Sequence, residues 1–211
     1  MDLIIVRHGQ SVADIERRME GRTDFPLTEL GIDQARKASE WIVEHYSPDY
    51  IFASPLSRAC KTAEIIGLAA GVKVTVDEDL IDWNHGVLAG MLIEEANAKY
   101  PEKPEGRFPH EAIEGGESDL SIRFRAENFI SRITNNTEYK GKTLLVVTHT
   151  MVINNLFAAF FEIPAKQTIR IKTDDTGIHH WKIQGPYKVI LSSNSMEHLA
   201  NYPTTEGAIA G

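Results

Sequence analysis

The sequence predicts an α/β fold: a three-layer sandwich with a mostly parallel mixed sheet and helices on both faces. Three observations carry this reading. Short, continuous apolar runs at 3–6, 50–53 and 143–148 read as strands, the first of them buried on both faces. Segments of helical period separate them, the alternation that builds parallel strand-helix-strand units. Near the C-terminus, runs at 178–183 and 188–191 flank Gln184-Gly185-Pro186, a turn that closes an antiparallel hairpin at one edge.

Taken in order, 3–6 is the first strand and the polar, turn-rich stretch 12–27 is a loop. Thr28 is an N-cap for a helix running to about His45, with Ala35, Ala38, Ile42 and His45 at helical spacing and Leu30 and Val43 widening the stripe. A strand at 50–53 ends at Ser54-Pro55, a helix covers 57–68, and 72–76 alternates like a third strand. Residues 77–117 are expected as a loop-dominated lid or insertion with a short helix at 93–99; three prolines and three glycines fall within 100–116. An amphipathic helix is expected at 119–135, then the strand 143–148 and a helix at 151–160. Residues 1–200 are expected as one domain and 201–211 as a frayed tail.

Composition bounds the function. The chain has 211 residues, 42% hydrophobic and 25% charged, enough for one sizeable core. No apolar run is long enough to span a bilayer, and no leader pattern is read at the N-terminus. A lone cysteine, Cys60, rules out an internal disulfide and leads to the expectation of a cytoplasmic protein. With 30 acidic against 22 basic residues, the net charge is −8 and no basic stripe offers itself to nucleic acid. Neither a membrane nor a nucleic-acid partner is expected; the sequence allows a homodimer.

Chemistry should gather where strands end, because open α/β sheets bind ligands beyond their carboxyl edge. The first strand runs into Arg7-His8-Gly9, the second into Ser54-Pro55-Leu56-Ser57-Arg58, and the fourth into Thr148-His149. If those strands are neighbours, two imidazoles and two guanidiniums converge. Guanidinium forks match phosphate oxygens, and an imidazole can be nucleophile or donor. Each group alone has an ordinary structural role; the conjunction, with every member at the same place relative to a strand, points to a dianion pocket.

The same residues sit in blocks that resemble the histidine phosphatase superfamily, also called phosphoglycerate mutase-like. The blocks are "IIVRHGQS" at 4–11, "TDFPLTELGIDQA" at 23–35, "FASPLSRACKTAEII" at 52–66, "GGES" at 115–118 with Arg123, "LLVVTHTMVI" at 144–153, and Asn194 with His198. The resemblance implies that His8 takes the phosphoryl group as a phosphohistidine. It also implies that Arg7, Arg58 and His149 bind the non-bridging oxygens. Phosphoryl transfer is catalysed mainly by alignment and charge compensation, so this division of labour needs neither metal nor cofactor.

The general acid is where this chain departs from the family pattern. The family's Glu corresponds to Asp82 in "LIDWNHGVLAG", one methylene shorter, with neighbouring His85 as a substitute. In the phosphate pocket, Asp14 stands where Asn is usual, Glu20 before Gly21 where an amide is usual, and Thr150 where Gly is common. Thr150 can still offer its backbone N–H at a helix N-terminus. The adjacent His179 and His180 should face opposite sides of a strand and not chelate a metal. His45, His110 and His198 are expected at the surface or in a second layer, Trp41 and Trp181 in the core or half-buried, and Cys60 as a packed small side chain.

The expected function is a metal-independent phosphatase of small phosphorylated metabolites. The alternatives are a cofactor-dependent phosphoglycerate mutase and a catalytically weak phosphate-binding regulatory protein. Against the mutase, Lys99, Lys103, Arg107 and His110 interleave with Glu102, Glu105, Glu111 and Glu114 and give no cationic cup for a second anion.

Overall fold

A computed structural model describes residues 1–101, 106–165 and 169–200. The expected tail at 201–211 and the expected lid residues Glu102, Lys103 and Glu105 lie outside the described residues.

The order of elements is β1 (Asp2–Arg7), α1 (Val12–Glu16), α2 (Glu29–His45), β2 (Tyr50–Ala53), α3 (Ser57–Ala70), β3 (Val74–Val76), α4 (Ile93–Lys99), α5 (Asp119–Asn135), β4 (Thr143–Thr148), α6 (Thr150–Phe160), β5 (Ile178–Gln184) and β6 (Tyr187–Ser195). The strands form one six-stranded sheet in the order β3-β2-β4-β1-β5-β6. Its β3, β2, β4 and β1 are mutually parallel, and β5 and β6 add the antiparallel edge.

Alternation along the central strands divides the core in two. Leu3, Ile5, Leu144, Val146 and Trp181 face Ile122, Phe129 and Ile133 of α5 and Val152, Leu156 and Phe160 of α6. The intervening Ile4, Val6, Leu145 and Val147 face Ala38 and Ile42 of α2 and Ala59, Ala63 and Ile66 of α3. Strand side chains point alternately to opposite faces, so strands this apolar need helices on both. Each fully buried Leu or Ile contributes about 1.5–3 kcal/mol. The three-layer expectation holds.

Capping explains several helix starts. The Thr28 hydroxyl accepts the Gly31 N–H at 2.9 Å and Ser118 accepts that of Ser121 at 3.2 Å, opening α2 and α5. The stretch 12–27, expected as loop throughout, contains α1. Ser11 and Asp14 form a reciprocal capping box there, and one turn of helix follows it. The third strand is shorter than expected, and β6 extends beyond the expected 188–191. Of the expected lid, the described part is stitched to the loop after β1: Met19 N–H donates to the Met91 carbonyl at 2.9 Å, Gly90 to Met19 at 2.8 Å, and Ile93 to Arg17 at 2.8 Å.

Two fold details bear directly on the site. Gly9 and Gly31 lie backbone to backbone, so that a Cβ on Gly31 would sit 2.1 Å from the Gln10 carbonyl oxygen. The turn following His8 is therefore seated on the first turn of α2. On β5, His179 is buried; its Nδ1 accepts the Asn194 N–H at 3.2 Å and its Nε2 meets the Thr173 hydroxyl at 2.9 Å. His180 points elsewhere, to Asp2 at 2.7 Å, so the pair does not chelate as one unit.

Gly31→Ala should cost about 1–3 kcal/mol, read as a lower urea midpoint, because the added methyl meets unyielding backbone. Burial lowers His179 and His198 to about 4. An unfolded imidazole takes its proton near pH 6.5, so unfolding takes up protons between these values. Stability should then fall as pH drops from about 6.5 toward 4, by about 1.4 kcal/mol per pH unit from buried His179. Urea titrations should show a shallower fall in His179→Gln; an equal slope in both proteins would contradict the assignment.

Candidate active site

The register of the parallel strands assembles the site. Arg7 on β1 lies opposite Thr148 on β4, so the next residues, His8 and His149, stand side by side past the sheet edge. Their rings are 5.0 Å apart and both are buried. Ala53 on β2 pairs with Val147 on β4, which brings Ser54 to the same edge. The chain then enters α3, whose first turn carries fully buried Arg58. The neighbouring-strand condition set by the sequence is met.

The imidazoles are held in defined tautomers. His8 Nδ1 lies 2.8 Å from the Gly9 carbonyl, which can only accept; Nδ1 therefore carries the proton and Nε2 keeps its lone pair. For His149, Nε2 contacts the Ser54 hydroxyl at 2.8 Å. That hydroxyl also accepts the Leu56 N–H at 3.3 Å; with its own proton given to Nε2, His149 carries its hydrogen on Nδ1, the nitrogen that faces Asp82 Oδ2 at 3.6 Å. Burial drives both imidazoles well below their ordinary value, with the Arg58 charge next in size. Both are neutral at pH 7.

Carboxyl groups surround the two guanidiniums. Arg7 donates to Asp14 at 3.1 Å and lies 3.2 Å from Asp175; burial alone would lower its basicity, but these two carboxylates raise it. Arg58 donates to the Gly21 carbonyl at 2.7 Å, the Thr23 carbonyl at 3.0 Å and Asp82 Oδ2 at 3.0 Å, and its Nε lies 3.5 Å from Glu20. Asp82 Oδ2 is also 3.6 Å from His149 Nδ1, and its Oδ1 accepts the Trp83 N–H at 2.8 Å. Burial raises the Asp82 carboxyl despite the pull of Arg58. It pushes Glu20 up to about 7 and Asp175 to about 6.

Four buried polar atoms here lack a hydrogen-bond partner among the described residues: Arg7 Nε, Arg58 Nε, His149 Nδ1 and Glu20 Oε1. Three are donors with positive or partly positive hydrogens. Buried donors are nearly always satisfied in folded proteins, so these neighbouring residues hold hydrogen-bonding capacity that the chain itself does not use.

The expected catalytic set, Arg7, His8, Arg58, Asp82 and His149, is thus gathered in one pocket, with Glu20 and Gly21 beside it. Asp14 uses one oxygen on Arg7 and the other on the Ser11 backbone and hydroxyl, so it acts through Arg7. Thr150 opens α6 beside His149. His85 packs against Trp83, ring centroids 5.6 Å apart, while Asp82 takes the contact to Arg58.

Sequence reading missed three contributors. Ser54 could have been found, since it ends its strand as His8 and His149 do. Arg123 turns away, toward Glu127 and the carbonyls of Ala158 and Ile163. It is Arg125 that serves the pocket, donating to the Ile81 carbonyl at 2.8 Å and pairing with both oxygens of Glu117 at 2.8 Å. Asp175 had no sequence signal. Asn194 holds its loop, with Oδ1 on Asp174 N–H at 2.8 Å and Nδ2 on the Asp174 carboxylate at 2.8 Å.

No helix among the described residues is long and apolar enough to cross a membrane. Similar proteins are found among curated sequences and solved structures. A curated relative, phosphoserine phosphatase 1 of Hydrogenobacter thermophilus, is 31% identical over 95% of both chains. A probable phosphoglycerate mutase of Proteus mirabilis is 27% identical over 98% of both. Among solved structures, a mycobacterial glucosyl-3-phosphoglycerate phosphatase complexed with VO3 superposes with a TM-score of 0.81 at 25% identity, covering 92% of this chain and 98% of that one. The profile of the histidine phosphatase superfamily (branch 1) matches residues 3–195, and the chain belongs to that family.

Proposed function

We propose that this chain is a metal-independent phosphatase that hydrolyses small phosphomonoesters through a covalent phosphohistidine at His8. One observation carries the reading: the Gly9 carbonyl holds the proton on His8 Nδ1, which leaves the Nε2 lone pair buried between two guanidiniums. A neutral imidazole is the nucleophilic form; burial, then Arg58 and Arg7, keep it neutral, and the guanidiniums offer donors to a phosphoryl group.

The roles follow from position. His8 Nε2 attacks phosphorus and the ester P–O bond breaks. Arg7, Arg58 and His149 Nδ1–H donate to the three equatorial oxygens. Asp82, whose carboxyl burial shifts toward the protonated form, gives a proton to the leaving alkoxide. The resulting carboxylate takes a proton from a water whose oxygen attacks phosphorus as the P–N bond breaks; phosphate leaves and both His8 and Asp82 are restored. Glu20, 3.9 Å from His8 Nε2, flanks the nucleophile. The relatives named for phosphoserine and glucosyl-3-phosphoglycerate support a small phosphorylated metabolite as substrate.

His8→Ala should abolish phosphate release and acid-labile phosphate labelling. Asp82→Asn should slow alkyl phosphates by about 10²–10⁴ while sparing an aryl phosphate, whose leaving group needs less protonation. Unchanged turnover in His8→Ala would overturn the mechanism, and equal loss on both substrates in Asp82→Asn would overturn the acid assignment.

A further inference from the structure

The pocket carries more negative charge than a dianion receptor should. Two guanidiniums face four carboxyls: Asp14 and Asp175 on Arg7, Asp82 and Glu20 on Arg58. With both imidazoles neutral, full ionisation would leave the cluster two charges negative, and a phosphate dianion would meet repulsion. Some of those carboxyls must keep their protons when the anion binds.

Glu20 is placed to be one. Its Oε2 lies 3.9 Å from His8 Nε2 and 3.5 Å from Arg58 Nε, so it borders the space over the nucleophile. The contact to Arg58 does not meet hydrogen-bond geometry, since Arg58 Nε is unsatisfied, and Glu20 Oε1 is buried without a partner. An ionised Glu20 would set an anionic oxygen against the phosphoryl oxygens; a protonated one offers them a hydrogen. Its surroundings are His8 and Arg7 at the end of β1, Ser11 and Asp14 at α1, Arg58 on α3 and Asp82 before Trp83. Arg58 and the Ser11 hydroxyl favour its charge; burial outweighs them, reinforced by Asp14 and Asp82, and holds it at about 7.

We propose that Glu20 serves the site as a protonated carboxylic acid whose O–H donates a hydrogen bond to an oxygen of the bound tetrahedral dianion, coupling anion binding to the uptake of one proton. This rests on reading the pocket as a phosphoryl site. It explains the carboxylic acid at a position where the family pattern favours an amide: Glu20 mimics the amide donor only while protonated. The pocket is therefore a proton-gated anion receptor that weakens as pH rises.

Sulfate is the probe, because it stays a dianion throughout the range and contributes no proton of its own. Titration calorimetry should be run from about pH 6 to 8.5 in two buffers of different ionisation enthalpy. Wild-type affinity should fall about tenfold per pH unit above about 7, with up to one proton taken up per sulfate. Glu20→Gln should bind sulfate at the wild-type low-pH affinity without that slope, and Asp82→Asn should keep the slope. A slope unchanged in Glu20→Gln, a slope removed by Asp82→Asn instead, or loss of sulfate binding in folded Glu20→Gln would overturn the proposal. Proton-coupled sulfate binding in a chain that releases no phosphate would overturn the phosphatase reading alone.

Discussion

Two guanidiniums and two imidazoles are withdrawn from water around one point, and the rest of the structure answers to that. Desolvating four nitrogen-rich groups together is costly unless charge is balanced at short range. The chain meets this in two ways. The imidazoles stay neutral, each fixed in one tautomer by a single neighbour, Gly9 or Ser54. The guanidiniums keep their charge and are surrounded by carboxyls, two of which are held up near 6 and 7 by the same burial. Protons held on those carboxyls offset the excess of negative charge, and the site retains donors for an anion.

Holding that point requires a rigid frame at the sheet edge, supplied by three adjacent parallel strands. In-register pairing of β1 with β4 and of β2 with β4 fixes His8, His149 and Ser54 relative to one another. An outer layer then fixes the less regular members. Arg125 ties the carbonyls of Asp79 and Ile81 to Glu117, Arg22 reaches from the same carboxylate to the Asp82 carbonyl, and the Trp83 indole donates to the Glu117 carbonyl. The backbone on both sides of Asp82 is thereby pinned. A carboxyl one methylene shorter than the usual Glu has less reach, so its position depends more on that backbone. On the opposite flank, Asn194 fastens the loop bearing Asp175 against Arg7.

Much of this was legible in the sequence because it depends on local rules. Strand identity followed from unbroken apolar runs, the start of α2 from Thr28, and the central site from polar residues placed just past strands. What escaped depends on long-range geometry or on weak local signals. The capping box at Ser11 and Asp14 was hidden in a stretch of turn formers. The choice between Arg123 and Arg125 turns on helix phase, which decides which guanidinium faces the acid. Asp175, 168 positions from Arg7 in the sequence, left no trace in any motif. Cys60 packs half-buried, and burial and then Glu64 raise its thiol above the usual range, in keeping with the expected packed side chain.

The central claim is that burial and two guanidiniums hold His8 neutral, with its proton on Nδ1 and its Nε2 bare. Nitrogen-15 NMR of the imidazoles reads protonation and tautomer directly. The account predicts that His8 stays neutral well below pH 6.5, in the Nδ1–H form, with an Nε2 resonance that moves when vanadate is added. A His8 that titrates at or above 6.5, or that carries its neutral-form proton on Nε2, would contradict it.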